Sequence, residues 1–558
     1  MGGEESLEPP ISAQSLNRRA SRHIQNELIL HEAVIKNDVD AVKAIMKEPV
    51  DVNFRNNVSV GYTVFRQFVV FDDGFFIFSS FLWGKFGRAP IHWASSRGNI
   101  QIMEMLIAAK CNIEAKDKHG MRPILMAASQ GHRDAVQLLI NHGADVTIVN
   151  KKQNTLLMCA AKNNRLDVVN FILDNLDVVD LNAVDVDQQT ALHHAAIGGH
   201  LEIVEKLVHL GAIPTVIDKT GSSPLHCACA KGHAEVAYFL IHHGAEMLVQ
   251  DENGNTPLHI AVENKQLHIV QLLLECGNPT DLKNDKGQTP LHIASSHGSL
   301  GITESLVQCG CDINITNKNG NTALHNACLS NHDHIVEFLI SKGADLDALN
   351  SRLQSPMHIA AEQGYTEICQ LLLAAGANIQ QREQGGKTPL YIAARGSFTA
   401  IVDMIIKTIR LECPNEPEET RQITRRRSRW SHSPDFNLLG PKENNDKFGV
   451  LLWKISHKYL QPGEWKKLAH RWNFTDEQIK AIEHQYTGPS SYKEHCHRML
   501  RIWIDSLPPS VDALQELTDA LEAINKRKVA EIIQKKMQEA DQSTPQTKHC
   551  CDKECVVM

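Results

Sequence analysis

The chain has little of what catalysts and nucleic-acid binders display in their sequences. No phosphate-cradling G-x-x-x-x-G-K-[ST], no H-E-x-x-H and no G-x-S-x-G occurs in its 558 residues, and nothing marks a catalytic cysteine. The expectation is a non-enzyme without catalytic residues, cofactor-binding residues, metal ligands or cofactors. Positive charge is not in excess, with 57 Lys and Arg against 65 Asp and Glu and a formal net charge of -8. Binding to nucleic acid, which needs clustered cations, is therefore disfavoured. The 14 cysteines contain no C-x-x-C pair, and no cleavable signal sequence opens the chain. Both features suit reduced thiols and a cytoplasmic location.

What is abundant is repetition. A segment like Thr256-Pro257-Leu258-His259 returns with its first residue at 223, 256, 289, 322, 355 and 388, a step of 33 each time. Ala89, Arg122, Thr155 and Thr190 continue the beat upstream, with two extra residues between Asp177 and Asp187, and Leu28 marks a degenerate first copy. The residues explain the local fold. Thr256 suits a helix N-cap and Pro257 the first helical turn, where its missing N–H costs nothing. Gly232-His233 and Gly199-His200 stop the first helix with a left-handed glycine, and a second apolar-striped helix follows, as in Ile335–Ile340. Eight of the 29 histidines are the fourth residue of this motif, so these read as structural rather than as ligands.

In period and motif the chain resembles the ankyrin-repeat family over roughly Leu28 to Leu411. The resemblance implies an all-α solenoid of about eleven helix-turn-helix repeats with short finger hairpins, each unit stabilised by stacking on its neighbours. It also implies a protein-binding surface formed by finger tips and the exposed face of the first helices. Carried onto this sequence, the tips are Asp117, Lys118, His119, Asp218, Lys219, Asp251, Glu252, Asn253, Asp285 and Lys286, with Lys318 and Asn319. The helix positions include Arg97, Gln130, Asn163, Lys231, Glu263, Lys265, His297 and Asn331.

A foreign segment at 59–86 interrupts the first finger and holds eight of the 16 phenylalanines. Arg66, Asp72 and Asp73 divide it, leaving too short an apolar run for a membrane span of about 20 residues. It is expected to be a tolerated loop insertion.

The repeats stop at Leu411. Residues 412–445 are rich in Pro, Arg, Ser and Glu and read as a linker, in which Arg425-Arg426-Arg427-Ser428 makes Ser428 a candidate phosphorylation site. Six short helices are expected from about Lys447, Gly463, Thr475, Ser491, Ser510 and Asn525, with Trp453, Trp465, Trp472 and Trp503 as core. Their pattern over 446–540 resembles a death domain, which implies a six-helix bundle that pairs with other death domains through charged patches. Lys466, Lys467, Arg471 and Lys480 would form a basic patch, and Asp512, Glu516, Asp519 and Glu522 an acidic face.

The tails at 1–23 and 541–558 carry lipid-like signals. Cys555-Val556-Val557-Met558 resembles a farnesylation motif, Cys550 and Cys551 suit palmitoylation, and Gly2 fits a myristoylation pattern weakened by Glu4 and Glu5. One finger, Leu306 to Asp312-Ile313-Asn314, resembles the site that an asparaginyl hydroxylase reads in ankyrin repeats, which makes Asn314 a candidate hydroxylation site. The expected function is that of a non-enzymatic intracellular signalling adaptor: repeats bind a protein partner and the death domain recruits death-domain partners. The alternatives are a substrate or regulator of an asparaginyl hydroxylase in oxygen sensing, and a lipid-anchored scaffold at the membrane periphery.

Overall fold

The computed structural model describes residues 26–55, 86–177, 179–411, 446–484, 488, 490–507 and 511–542. The expected N-terminal tail, all of the linker, nearly all of the insertion and most of the C-terminal tail lie outside them. All regular structure among the described residues is helical. The chain divides into two compact units, Met1–Pro279 and Thr280–Met558.

The first unit contains seven helix pairs: 26–36 (α1) with Val39–Ile45 (α2), Pro90–Arg97 (α3) with Ile100–Ala108 (α4), Pro123–Gln130 (α5) with Arg133–Asn141 (α6), Leu156–Lys162 (α7) with Leu166–Asn175 (α8), Ala191–Gly198 (α9) with Leu201–His209 (α10), Pro224–Lys231 (α11) with Ala234–His242 (α12), and Pro257–Glu263 (α13) with Leu267–Glu275 (α14). From α3 onward each first helix packs on the next first helix. The reason is compositional. A first helix such as α11 puts Pro224, Leu225, His226, Ala228 and Cys229 in the interior, so it has apolar surface on two sides and needs two neighbours. From α4 onward each second helix buries a stripe at i, i+1 and i+4, for example Ile203, Val204 and Leu207 of α10. Each such side chain contributes roughly 1.5–3 kcal/mol when fully buried.

The second unit continues the pattern with Pro290–His297 (α15) and Leu300–Gln308 (α16), Ala323–Leu329 (α17) and Asp333–Ser341 (α18), Pro356–Gln363 (α19) and Thr366–Ala374 (α20), and Pro389–Arg395 (α21) and Thr399–Leu411 (α22). The bundle follows: Asp446–Lys454 (α23) running into a π-turn at Ile455–Tyr459, then Glu464–Arg471 (α24), Asp476–Glu483 (α25), Ser491–Asp505 (α26), Ala513–Ala523 (α27) and Arg527–Gln542 (α28). Trp465 and Trp503 are each 1% exposed, and Trp472 stacks on Trp503 with ring centroids 4.1 Å apart. Leu468, Ile482, Met499, Leu500, Leu517 and Leu521 fill the space between helices. The capping box expected at Thr475 is present, its hydroxyl accepting from the Gln478 N–H while the Gln478 amide oxygen accepts from the Thr475 N–H.

One expectation is corrected. Trp453 is not core: it is 45% exposed and stacks on His457 instead, because the buried stripe of its helix runs through Phe448, Leu451, Leu452 and Ile455. The fingers are the short hairpins expected, and among the described residues they contain no strand ladder. They are closed by short turns, such as the one with Asp117 N–H to Met121 carbonyl at 2.9 Å and Gly120 N–H to Asp117 carbonyl at 3.0 Å. A side chain supplies what a strand ladder would, since Asp117 Oδ1 accepts from the N–H of His119 and of Met121.

Candidate functional site

Two recurring side chains build the frame on which the exposed finger residues stand. The first is the motif histidine. In the repeat opened by Thr322, His325 Nδ1 accepts from the Thr322 N–H at 3.1 Å and lies 2.9 Å from its hydroxyl. Nε2 lies 3.0 Å from the Gln354 carbonyl of the next finger. A carbonyl only accepts, so Nε2 carries the proton and the ring is neutral. His92, His193, His226 and His292 make the same tie to Met121, Ser222, Asn255 and Asn321. The degenerate first copy keeps it too, through His31 Nε2 and the Phe54 carbonyl. Burial lowers the pKa of every one of these rings, to about 4 for His31 and His325.

The second is the residue that opens each finger. Asp117 is 5% and Asp218 6% exposed. Asp218 accepts from the N–H groups of Thr220 and Ser222, the Thr220 hydroxyl and the Gln189 amide. Burial opposes its charge, but these hydrogen bonds prevail and hold its carboxyl below the usual range. Asp117 is also paired with Arg88 at 3.2 Å. Neither carboxylate is available to a partner, which corrects their assignment as contact residues. Asp251 plays the same part while remaining half-buried. The position is Asp or Asn up to the last finger, where Glu383 takes it, and Asn150, Asn284, Asn317 and Asn350 bond identically. The signal was in the sequence: Asp or Asn, with glycine three residues on, at the 33-residue beat, as in Asp218-Gly221, Asp251-Gly254 and Asn284-Gly287.

The neighbours of these turn-formers do face outward. In the first unit Lys118, His119, Lys219, Glu252 and Asn253 are exposed; in the second, Asp285, Lys286, Lys318 and Asn319 are. Adjacent tips are joined by one backbone bond each, Lys151 N–H to His119 carbonyl and Glu252 N–H to Thr220 carbonyl among them. On the first helices Arg97, Gln130, Asn163, Lys231, Glu263, Lys265 and Asn331 are exposed and His297 is half-buried. Sequence reasoning missed an apolar component of the first unit. Val184, Val186, Ile217 and Leu248 sit beside the finger turns at 48–53% exposure. Val184 and Ile217 hold the same place one repeat apart, immediately before Asp185 and Asp218, so the aligned beat could have revealed them.

Asn314 is exposed, but its amide is committed: Oδ1 accepts from the Asp345 N–H of the next repeat at 2.9 Å. Asn53 makes the equivalent bond to the Asn112 N–H. In the bundle, Lys467, Arg471 and Lys480 are exposed, whereas Lys466 is paired with Glu483. Among the acidic residues, Asp512 caps α27 by accepting from the Leu514 and Gln515 N–H groups. Ser428, Cys550, Cys551, Cys555 and Gly2 lie outside the described residues.

Burial pushes the Cys159, Cys227 and Cys369 thiols up to about 12, far from a reactive thiolate at neutral pH. Among the described residues no three His, Cys, Asp or Glu side chains are grouped to hold a metal, and no helix is long and apolar enough to cross a membrane.

Stacked helix pairs tied by a cap histidine and a finger carboxylate define an ankyrin-type scaffold, and the comparison with known families agrees. The family described as "Ankyrin repeats (3 copies)" matches in overlapping stretches at 20–150, 91–185, 143–218, 210–284, 244–317, 268–350, 294–383 and 347–415, and "Death domain" matches residues 454–537. The chain belongs to the ankyrin-repeat family and carries a death domain after its repeats. Both modules are non-catalytic and bind other proteins, so the chain is a protein-interaction scaffold of the signalling type.

Proposed function

We propose that the protein is a non-enzymatic intracellular adaptor whose repeats hold a protein partner while the death domain recruits a second, death-domain-bearing one. The module limits that go with this reading are 24–411 for the repeats and 446–540 for the death domain. The observation that carries it is the division of labour in the fingers. Asp117 and Asp218 are spent on the turn, while Lys118, His119 and Lys219 next to them point to solvent. In the first unit, Val184, Val186, Ile217 and Leu248 add the apolar contact area that charged tips lack. In the bundle the exposed Lys467 and Arg471 are the residues placed to meet an acidic surface. Proximity labelling in cells tests the scheme with two variants of the full chain, Lys118→Glu with Lys219→Glu, and Lys467→Glu with Arg471→Glu. Each pair should remove a different set of neighbours. Identical labelling from both variants and the unaltered chain would refute it.

A second reading is supported by the exposure of Asn314 on its finger. An asparaginyl hydroxylase would insert one oxygen atom of dioxygen into a Cβ–H bond there, the second oxygen being taken up by a co-substrate of the enzyme that supplies two electrons. Because Oδ1 already holds the Asp345 N–H, the enzyme must first peel the finger away from its neighbour. Intact-peptide mass spectrometry on protein from oxygenated cells decides it: a shift of about one oxygen on Asn314 supports the reading, and an unmodified peptide ends it.

A further inference from the structure

The last repeat departs from the pattern at the places where a following repeat would be gripped. Tyr391 stands where eight of the other ten motif copies place histidine, Leu125 and Met158 being the exceptions, and it is 48% exposed. Its second helix, α22, has 13 residues against nine in α16, α18 and α20. Within the second unit, α22 packs on α25 and α26, and α21 packs on α25.

The contacts are specific and partly buried. Arg410, in the added turn of α22, donates from Nε to the Ser506 hydroxyl and from Nη1 to the Trp472 carbonyl, both at 2.8 Å. Its guanidinium lies 4.1 Å from the centre of the Phe474 ring. Burial draws its pKa down to about 10, which still leaves it charged. Arg498 of α26, 9% exposed, pairs with Asp403 of α22 and also donates to the Thr399 carbonyl. Lys407 reaches Asp505 at 3.6 Å. The Thr388 hydroxyl, which in the earlier repeats meets the motif histidine, donates here to Glu477 of α25 at 2.8 Å. Planar guanidiniums bonded to backbone carbonyls and stacked on a ring need a fixed partner geometry, unlike exposed ion pairs.

We propose that the last ankyrin repeat is a resident partner for the chain's own death domain, closing the end of the repeats and holding the α25–α26 face of the bundle away from other proteins. The exposed Lys467 and Arg471 on α24, with Asp519 and Glu522 on α27, stay outside this joint. A partner that needs the α25–α26 face must displace α22 first. This inference goes beyond the adaptor reading and holds whichever protein the repeats bind.

Hydrogen exchange of the full chain tests it. In the unaltered protein the amides of 399–411 and of 472–483 should both be protected. Asp403→Arg sets two cations against each other and should speed exchange in both segments by about tenfold or more, while 323–341 stays unchanged and reports that the repeats remain folded. Arg410→Ala should act in the same direction. Asp403→Arg combined with Arg498→Asp restores opposite charges and should return protection to both segments. The proposal is overturned if both segments exchange as fast in the unaltered chain as in Asp403→Arg, if only one of them responds, or if the double reversal rescues neither.

Discussion

Acidification should weaken the repeats through their histidines, and His325 shows by how much. Its pKa falls from 6.5 to about 4 on folding, because burial disfavours the imidazolium. Geometry adds a second reason: a proton on Nδ1 would face the Thr322 N–H that Nδ1 now accepts. The folded value lies below the unfolded one, so the unfolded chain takes up the proton first. The stabilisation is complete above pH 6.5, and it is lost as the pH falls towards 4. For this one ring the loss between pH 7 and 5 is about 2 kcal/mol, rising to about 3 kcal/mol below pH 4. His325→Gln removes the titration along with two buried hydrogen bonds. Urea unfolding followed by helical circular dichroism should show the variant weaker by about 1–3 kcal/mol at pH 7.5. Near pH 5 its stability should depend on pH less steeply than that of the parent, by about 1.2 kcal/mol per pH unit. Background titration of carboxylates is common to both proteins and cancels in the comparison. Parallel loss of stability in the two proteins between pH 7 and 5 would refute the reasoning.

The finger carboxylates give a paired test: Asp218→Ala strands two N–H groups, a hydroxyl and an amide and should cost about 2–4 kcal/mol in thermal unfolding, while Lys219→Glu beside it should stay within about 0.5 kcal/mol. In the bundle, Trp503→Ala should cost about 3–5 kcal/mol in chemical denaturation and Trp453→Ala about 1 kcal/mol or less, since only the latter side chain stands outside the core.

The repeats were legible because period and chemistry coincide. A hydroxyl, a proline, a leucine and a histidine every 33 residues leave few alternatives to a capped helix with one tie to its neighbour, and the structure places Thr322, Ser223 and His226 in those roles. The finger carboxylates were misread because a charged residue in a loop looks solvated until the next finger is laid against it. Asp218 is buried by contacts with Gln189, 29 positions away. Trp453 was misplaced by weighing size above phase, for Phe448, Leu451, Leu452 and Ile455 already mark the inner stripe of that helix. The joint between the last repeat and the bundle could not be read at all. Arg410 and Trp472 are 62 positions apart, Asp403 and Arg498 95, and in a linear text each cation is simply a surface charge.

Single main-chain links between tips, each anchored by one interior carboxylate or amide, have an evolutionary corollary. The side chains at 118, 119, 219, 252, 253, 285 and 286 are not needed to hold their own loops in shape, so mutation can rewrite them while the architecture beneath stays intact. If partners are read at these tips, as proposed, the specificity of the scaffold and its stability are set by separate residues.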